Sequence, residues 1–592
     1  MSHGHAPGSP GRGAGATAVD RRRFLLLAST VAGLPALAAG QESPPLAVPP
    51  GALAAAAELL GLELTAVERE LMADGVGEQL ADYRALREVE IPNAIAPALR
   101  FDPRPPGWSP SGGSSMRSGA AAAASPVPAE REELAFWPVT RLAPLLRDRV
   151  VTSAELTELY LSRLDRLDPV LHAVVSLTTD LARRQAEQAD REIAAGRWRG
   201  PLHGIPWGAK DLLAARGYPT TWGSVPFREQ VIDEDAAVVE RLAAAGAVLV
   251  AKLTLGELAW GDVWFGGMTR NPWKTDQGSS GSSAGSAAAT AAGAVGFAIG
   301  SETLGSIVSP CTRTGATGLR PTFGRISRHG AMALSWSMDK LGPICRSVED
   351  CALVFDAVRG ADPRDPTTLE APFAWDAGRD ARTLRVGYPA ALFEEPSREG
   401  REEQHAHDLA ALAILRELGV TLRPIALPAL PVQALRIILN AEASAAFDEL
   451  TRSGRDELLV RQIEQAWPNT FRLGQTIPAV AYIQANRIRT MLMEQMHRLM
   501  ADLDAYVVPT YGGSNLLLTN LTGHPAVVVP NGFRADGTPT SLTFQGRLFG
   551  ESEALLLAKA YQDATGFHLR RPPIDGAAPT PAFLPPPPAP PA

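Results

Sequence analysis

Helices and short apolar strands alternate along the chain from about residue 133, and this alternation restricts the possible folds more than any other feature. Thr152 and Glu155 form a capping box that predicts the start of one helix. Downstream, the pattern predicts a strand at 172–177, a helix at 180–195, a helix at 235–245 and a strand at 247–250. Both of these helices end at a glycine. The repetition predicts an α/β domain with a sheet covered on both faces.

The regions on either side of this domain differ from it. Residues 39–102 carry apolar side chains at helical spacing, which predicts a helical N-terminal extension. Residues 103–132 are rich in Pro, Gly, Ser and Ala and are predicted to be a linker. Residues 572–592 are rich in Pro and are predicted to be a disordered or polyproline II tail. The catalytic domain is therefore predicted at 133–571.

Residues 1–38 have the order of an export signal. Arg21, Arg22 and Arg23 precede a short apolar segment, and a small-residue cleavage site follows at 36–38. The apolar segment is shorter than the roughly 20 residues of a spanning helix. We therefore expect a twin-arginine signal peptide, a mature protein that begins near Ala39 and lacks a membrane span, and a periplasmic or secreted location in a bacterium. An uncleaved N-terminal anchor is the alternative.

Charge and cysteine content argue against several kinds of partner. The chain carries 64 acidic and 56 basic residues, a net charge of -8, and has no basic stripe interleaved with aromatic residues. Nucleic acid is therefore not expected as a partner. His405 and His407 have no further metal-ligand set nearby, so no metal site is predicted. Neither a disulfide framework nor a zinc site is indicated for the three cysteines, which we expect to be buried free thiols: Cys311, Cys345 and Cys351.

The stretch from Asp276 to Ala289, DQGSSGSSAGSAAA, has the composition of a flexible linker. It is followed, however, by a helix pattern that ends at Gly293, a strand pattern and a second Gly/Ser turn at 300–306. Glycine-rich turns let backbone N–H groups converge, as an oxyanion requires. Within the first turn, Ser283 fits the G-x-S-x-G nucleophile elbow. That elbow needs a strand directly before it, whereas 271–280 is polar and rich in turn residues, so Ser283 is not predicted to be the nucleophile.

Three ordered segments resemble the amidase signature family: PLHGIPWGAKD at 201–211, GSSAGS at 281–286, and GSI at 305–307 with GLRPT at 318–322. The resemblance covers about 133–570. It implies the amidase signature fold, an α/β fold with a large mixed β-sheet covered by helices on both faces. It also implies a Ser-Ser-Lys triad in which Lys210 is the base, Ser282 the bridging serine held by a cis peptide, and Ser306 the nucleophile. The expected activity is hydrolysis of a carboxamide C–N bond in a small-molecule or peptide amide, with no cofactor.

The chemistry of these residues is consistent with that resemblance. A lysine accepts a proton only when it is neutral, and burial favours the neutral form. Ser282 would relay the proton from Ser306 to Lys210, and water would hydrolyse the acyl-serine intermediate. The oxyanion hole would be formed by the backbone N–H groups of Thr303, Leu304, Gly305 and Ser306.

Two positions depart from the family pattern. Leu304 replaces a glycine, and a positive φ there would be strained. Val308 stands where many members have an arginine, which puts either recognition of a substrate carboxylate or a structural salt bridge in question. Asp211 is expected to orient or cap neighbouring groups rather than to react. Three aromatic residues are expected in either a substrate pocket or the core: Trp260, Trp264 and Phe265.

Two other functions are compatible with the same motifs. The first is the A-type component of a glutamyl-tRNA amidotransferase, a glutaminase and transamidase of the same family. The export signal and the net negative charge favour the exported amidase, because tRNA is cytoplasmic and polyanionic. The second is a catalytically silent binding protein on the same fold.

Overall fold

A computed structural model describes residues 48–60, 62–89, 101–104, 107–110, 112–117, 126–395 and 400–576. The predicted signal peptide and the tail beyond residue 576 lie outside these ranges. The helices are α1 Pro50–Leu60, α2 Ala66–Arg87, α3 Val139–Arg147, α4 Ser153–Leu171, α5 Thr179–Ala194, α6 Ala237–Ala244, α7 Ala284–Ala291, α8 Val308–Thr314, α9 Val348–Val358, α10 Ala390–Glu394, α11 Glu402–Glu417, α12 Ile437–Ala446, α13 Asp448–Arg452, α14 Trp467–Gly474, α15 Ala479–Met500, α16 Asn515–Thr522 and α17 Glu551–Thr565. Short 3₁₀ helices lie at Arg131–Phe136, Val225–Phe227, Glu257–Ala259, Ala381–Thr383, Val432–Arg436, Arg455–Leu458 and Phe567–Leu569.

The strands are β1 Ser115–Arg117, β2 Val174–Leu177, β3 Pro206–Lys210, β4 Val248–Leu253, β5 Val263–Trp264, β6 Gly267–Met268, β7 Arg270–Asn271, β8 Lys274–Gly278, β9 Phe297–Glu302, β10 Thr317–Arg320, β11 Lys340–Cys345, β12 Ala374–Asp376, β13 Val386–Tyr388, β14 Leu422–Pro424, β15 Ala505–Pro509, β16 Ala526–Phe533 and β17 Pro539–Gly546. In the described part of the chain, eleven of them form one sheet in the order β14-β13-β15-β17-β16-β10-β11-β9-β3-β4-β2.

The sheet is mixed. β3 runs parallel to both β4 and β9, and β13 runs parallel to both β14 and β15. The remaining neighbours are antiparallel. This architecture confirms the large mixed sheet implied by the family resemblance.

Both faces of the sheet are buried. On β4, Leu249 belongs to one apolar cluster, whereas Val248 and Val250 belong to another. On β9, Phe297 and Ala298 divide between the same two clusters. Because successive side chains of a strand point to opposite faces, the division shows that helices cover each face. Helices α4, α5 and α7 contribute to one cluster, and α9 and α17 contribute to the other.

The local predictions agree with the structure except at some boundaries. The capping box of Thr152 and Glu155 opens α4. Gly196 and Gly246 follow α5 and α6 with φ of 75° and 80°, a conformation that glycine adopts at little cost. The strand expected from His172 begins only at Val174, because His172 takes a left-handed conformation at the end of α4. The strand expected at 247–250 extends to 253, since the ammonium of Lys252 within it pairs with a carboxylate.

The flanking regions contribute more packed structure than the sequence indicates. Helices α1 and α2 fall within the predicted helical extension. Within the predicted linker, β1 pairs in parallel with β12. Ile574 is buried against the core, and Asp575 lies 3.2 Å from Arg166, so the packed domain continues past the predicted boundary at 571. Within the described residues, none of the helices has the length and apolar character needed to cross a bilayer.

Candidate active site

Lys210 ends β3, the third strand from one edge of the sheet, and its side chain is fully buried. Its Nζ donates hydrogen bonds to the Oγ atoms of Ser282 at 2.8 Å, Ser283 at 3.1 Å and Ser301 at 2.8 Å. Ser301 lies on β9, the parallel neighbour of β3. Three hydroxyl groups from two separate segments therefore fix the position of the amine.

Burial lowers the pKa of Lys210 well below that of an ordinary lysine, while the negative charges of Asp339 and Glu302 partly oppose the shift. Removal from water penalises the ammonium form more than the neutral amine. The neutral amine, which can accept a proton, is therefore available at a lower pH than for a lysine in water.

Ser282 follows a cis peptide bond with Gly281, as the family resemblance implies. Gly281 packs closely against a neighbouring loop: a Cβ atom at this position would lie 1.7 Å from the carbonyl oxygen of Gly261. The N–H of Gly256 donates to the carbonyl oxygen of Ser282 at 3.3 Å. The Gly/Ser stretch is therefore a packed turn rather than a solvated linker.

Ser306 lines a cleft and is 8% exposed, whereas Ser282 is 1% exposed and Lys210 is fully buried. The N–H of Ser283 donates to the carbonyl oxygen of Ser306 at 3.1 Å, which joins the two Gly/Ser turns. The structure thus brings the three predicted triad residues into one region, with the lysine deepest and the proposed nucleophile at the surface of the cleft.

The predicted oxyanion residues form the turn from Thr303 to Ser306. In the described structure, none of the four backbone N–H groups of this turn donates to another residue. Gly305 has a φ of 84°, whereas Leu304 does not have a positive φ. The leucine that replaces the family's glycine is therefore accommodated without the strain expected from the sequence.

Glu302 fixes the turn from inside the protein. Its Oε2 accepts hydrogen bonds from the N–H groups of Ile307 at 2.9 Å and Val308 at 3.0 Å. Its Oε1 accepts from Arg320 at 2.7 Å and Asn520 at 2.8 Å. Burial opposes ionisation of this carboxyl group, but Arg320 and the other donors outweigh burial and hold its pKa at about 2. Val308 itself packs among apolar side chains.

Asp211 and Lys252 form a second fully buried ion pair beside β3, with 2.7 Å between the charged atoms. Asp211 also accepts hydrogen bonds from the N–H and Oγ1 of Thr221. Its carboxylate is thus occupied by structural partners, in agreement with an orienting rather than a reacting role.

The cleft above Ser306 has a volume of about 580 Å³, within the range of small-molecule sites. Leu304, Gly281 and Trp260 line it near the proposed nucleophile. A smaller cavity of about 190 Å³ adjoins it at Thr303 and is lined by apolar side chains such as Met332 together with charged ones such as Asp339. Two cavities therefore meet at the turn that carries the proposed oxyanion hole.

The aromatic residues divide between cleft and core. Trp260 lines the cleft, with the guanidinium of Arg461 4.6 Å from its ring centroid. Trp264 is buried, packs edge-on against Phe265, and lines neither this cleft nor the adjoining cavity.

Ser283 makes hydrogen bonds inside the protein. Its Oγ accepts from Lys210 and from the N–H of Ser301, and donates to the carbonyl oxygen of Ser301. The preceding segment contains β8, but that strand belongs to a separate two-stranded sheet and ends at Gly278. Ser283 therefore lacks the geometry of a nucleophile elbow, as predicted.

The three cysteines are buried free thiols, as predicted. His407 lies 2.9 Å from the Oγ1 of Thr540 through its Nδ1. In the part of the chain that the structure describes, His, Cys, Asp and Glu side chains do not form a group of three or more that could hold a metal ion.

Sequence reasoning missed three contributions to this site. Ser301 and Glu302 end β9, in the segment that the sequence predicts to be the second Gly/Ser turn. The one carboxylate among these small residues was the available signal, since it pairs with the buried Arg320. The third contribution comes from α2, whose Gly75, Glu78 and Asp82 line the cleft. Only tertiary structure reveals that contact, because more than two hundred residues separate α2 from Ser306.

Comparison with known proteins places the chain among amide-cleaving enzymes. The family model described as Amidase matches residues 155–517. The chain is 34% identical over 481 residues to the A-type component of glutamyl-tRNA(Gln) amidotransferase from Methylococcus capsulatus, an alignment that covers 73% of this chain and 98% of the relative. It is 36% identical to the protein of the same name from Chloroflexus aggregans, covering 74% of this chain and 99% of the relative.

Solved structures are similar as well. The native peptide amidase from Stenotrophomonas maltophilia aligns with a TM-score of 0.65 and 30% identity, covering 75% of this chain and 99% of that protein. An amidase family protein from Bacillus anthracis aligns with a TM-score of 0.65 and 26% identity, covering 75% of this chain and 93% of that protein.

Proposed function

The chain belongs to the amidase family, whose enzymes hydrolyse amide C–N bonds, and from that premise we propose that it forms an acyl-enzyme on Ser306 with Ser282 and Lys210 as its proton relay. The observation that carries the proposal is the 2.8 Å hydrogen bond between Lys210 Nζ and Ser282 Oγ in a fully buried site. A hydroxyl is a weak nucleophile until a base removes its proton, and a buried lysine supplies such a base.

Each step transfers one proton along this relay. As Ser306 Oγ attacks the amide carbon, its proton passes to Ser282 Oγ, whose own proton passes to Lys210 Nζ. The tetrahedral intermediate carries its negative charge near the backbone N–H groups of the 303–306 turn. Its collapse breaks the C–N bond, and the relay returns the proton to the departing amine. Water then attacks the acyl-serine by the same route and releases the acid, and no step requires a cofactor.

A glutaminase and transamidase role is a second candidate, and the curated relatives favour it. Those from Methylococcus capsulatus and Chloroflexus aggregans are both named as the A-type component of glutamyl-tRNA(Gln) amidotransferase, and the similarity spans nearly their whole length. On that comparison the second candidate is better supported than the exported amidase. The peptide amidase structure, the net charge of -8 and three carboxylates along the cleft support the exported amidase. The silent binding protein is set aside, because family membership identifies an enzyme.

A substrate panel distinguishes the two candidates. It contains an aryl acetamide, a C-terminally amidated dipeptide, a long-chain fatty amide and glutamine, each incubated with the wild-type, Lys210→Ala and Ser306→Ala proteins. Turnover of the first three with no release of ammonia from glutamine is expected for the amidase. Turnover of glutamine alone would support the transamidase. Labelling of the wild type by a fluorophosphonate, detected by intact mass and absent in Ser306→Ala, is expected in either case. Equal turnover by Ser306→Ala would refute the acyl-serine.

Export through the twin-arginine route remains part of the proposal. The segment concerned lies outside the described residues, and the support comes from Arg21 and Arg22, the short apolar run and the small residues at 36–38. Fractionation of a bacterial host that expresses the full chain is expected to yield protein beginning near Ala39 in the periplasm or medium. Replacement of both arginines by lysine should retain the precursor in the cytoplasm. Cytoplasmic protein of full mass from the unaltered chain would contradict export.

A further inference from the structure

Helix α2 forms one wall of the cleft that contains Ser306. Gly75, Glu78, Gln79 and Asp82 of this helix line the same cavity as the proposed nucleophile. The helix precedes residue 155, where the amidase family match begins. The wall is therefore supplied by a part of this chain that lies outside the matched family region.

Several contacts hold α2 in place on the catalytic domain. Glu68 lies 2.8 Å from the guanidinium of Arg472, which is almost fully buried. Asn469 donates through Nδ2 to the carbonyl oxygen of Leu71 at 3.1 Å, and Thr476 donates to Gln79 at 2.9 Å. Gly75 lies close to Leu473, so that a Cβ atom on it would be 2.8 Å from the leucine side chain. The helix is thus a fixed part of the cleft.

The cleft carries an unbalanced negative charge at this wall. Three carboxylates line the cavity, those of Glu78, Asp82 and Glu464, against the single guanidinium of Arg436. Among the described residues, neither Glu78 nor Asp82 has a hydrogen-bond or ion-pair partner. Burial raises the pKa of Asp82, an effect that Arg436 partly opposes and Glu78 reinforces. A half-buried carboxylate without a partner is costly unless a bound group compensates it.

Two residues that line the cleft each contain a buried polar atom without a partner in the described structure. These atoms are Oδ1 of Asn469 and Nε1 of Trp467. Both atoms are closed to solvent, so the unpartnered groups that a ligand in the cleft can reach are the carboxylates of Glu78 and Asp82. Two carboxylates without a partner on one helix suit an N–H donor of positive charge.

We propose that α2 is a specificity element, and that Glu78 and Asp82 select amides that carry an ammonium group at the end of the substrate remote from the scissile bond. The proposal rests on amide cleavage at Ser306. It places the reacting amide at the base of the cleft and the cationic end against α2. It also makes a polyanionic substrate unfavourable in this cleft, because the wall repels negative charge.

Matched amide pairs test the proposal. On the acyl side, ω-aminoalkanoyl nitroanilides are compared with the alkanoyl nitroanilides in which a methyl group replaces the ammonium, over a short series of chain lengths. On the amine side, N-(ω-aminoalkyl)benzamides are compared with N-alkylbenzamides. Affinities are measured by calorimetry with Ser306→Ala protein, and kcat/KM is measured with the protein that retains Ser306.

At least one ammonium-bearing member should bind about tenfold more tightly than its methyl counterpart, the effect of two partly solvated charge pairs. Glu78→Gln/Asp82→Asn should remove most of this preference, and Glu78→Lys/Asp82→Lys should reverse it. The control is Glu70→Gln, on the same helix but outside the cleft lining, which should keep the preference.

The outcomes separate this proposal from the proposed function. Preferential binding of the ammonium member to Ser306→Ala protein, together with an absence of turnover by the protein that retains Ser306, would refute the acyl-serine chemistry and leave the role of α2 supported. Equal affinity for both members of every pair would overturn the proposal. An unchanged preference in Glu78→Gln/Asp82→Asn, shown by circular dichroism to be folded, would also overturn it.

Discussion

Replacing Glu302 by glutamine should lower the free energy of unfolding by about 3–5 kcal/mol, the usual cost of removing one partner from a buried ion pair. Glu302 and Arg320 are both fully buried, with 2.7 Å between their charged atoms. The pKa of Glu302 is about 2, against 4.5 for an ordinary glutamate. This difference corresponds to a stabilisation of the folded state by about 3 kcal/mol at neutral pH.

The geometry explains why an isosteric amide does not compensate. Each carboxylate oxygen of Glu302 accepts two hydrogen bonds, from Ile307 and Val308 on one side and from Arg320 and Asn520 on the other. Whichever oxygen becomes an NH₂ group in the variant would face two donors. Because the pKa of Glu302 is lowered on folding, its contribution is complete above about pH 4.5 and is lost as the pH falls towards 2.

The assay is urea-induced unfolding at neutral pH, followed by tryptophan fluorescence. The matched control is Glu240→Gln, which breaks an ion pair of 2.6 Å to Arg364 in which both side chains are more than 40% exposed. We expect a loss of less than about 1 kcal/mol for this control, despite its shorter distance. The double variant Glu302→Gln/Arg320→Met should lose less unfolding free energy than the sum of the losses in the two single variants. Equal losses for Glu302→Gln and Glu240→Gln would refute the argument from burial.

Three further predictions concern catalysis. Gly281→Ala should abolish amide hydrolysis while leaving the circular dichroism spectrum native, because its Cβ would lie 1.7 Å from the carbonyl oxygen of Gly261; full turnover would mean that the turn can rearrange. The value of kcat/KM should rise with pH and reach half its maximum below pH 10.5, because burial lowers the pKa of Lys210 from that ordinary value and only the neutral amine accepts a proton. A profile that is flat from about pH 6 to about 10 would argue against lysine as the base. Ser301→Ala should lower kcat about tenfold at constant KM, since it removes one of three hydrogen bonds to Lys210 Nζ; an effect on KM alone would place Ser301 in substrate binding instead.

The sequence predicts local structure where one residue type determines it. Thr152 and Glu155 open α4 because a capping box satisfies N–H groups within one turn, and glycines end α5 and α6 because they adopt positive φ at little cost. His172 is the exception, since it takes a left-handed conformation that could not be predicted from its residue type. That Ser282, Ser306 and Lys210 lie close together was predicted from ordered motifs that resemble a known family, and not from residue periodicity.

The parts of the site that the sequence did not predict depend on distant contacts. Glu302 pairs with Arg320 and Asn520, and α2 packs against residues near 470. No local pattern specifies such pairs, because charged residues at these positions would be read as solvated in isolation. Ile574 was missed for the same reason: the Pro-rich composition around it concealed one apolar side chain that packs into the core.

The attachment of Glu302 to Asn520 has a consequence for synthesis of the protein. All the predicted triad residues emerge from the ribosome within the first 306 positions, but α16, which supplies Asn520, follows more than two hundred residues later. Thr519 of that helix and the carbonyl oxygen of His524 also hold Arg320. A nascent chain therefore carries the proposed triad long before the turn around Ser306 is braced, and we expect this turn to reach its final geometry only when translation is nearly complete.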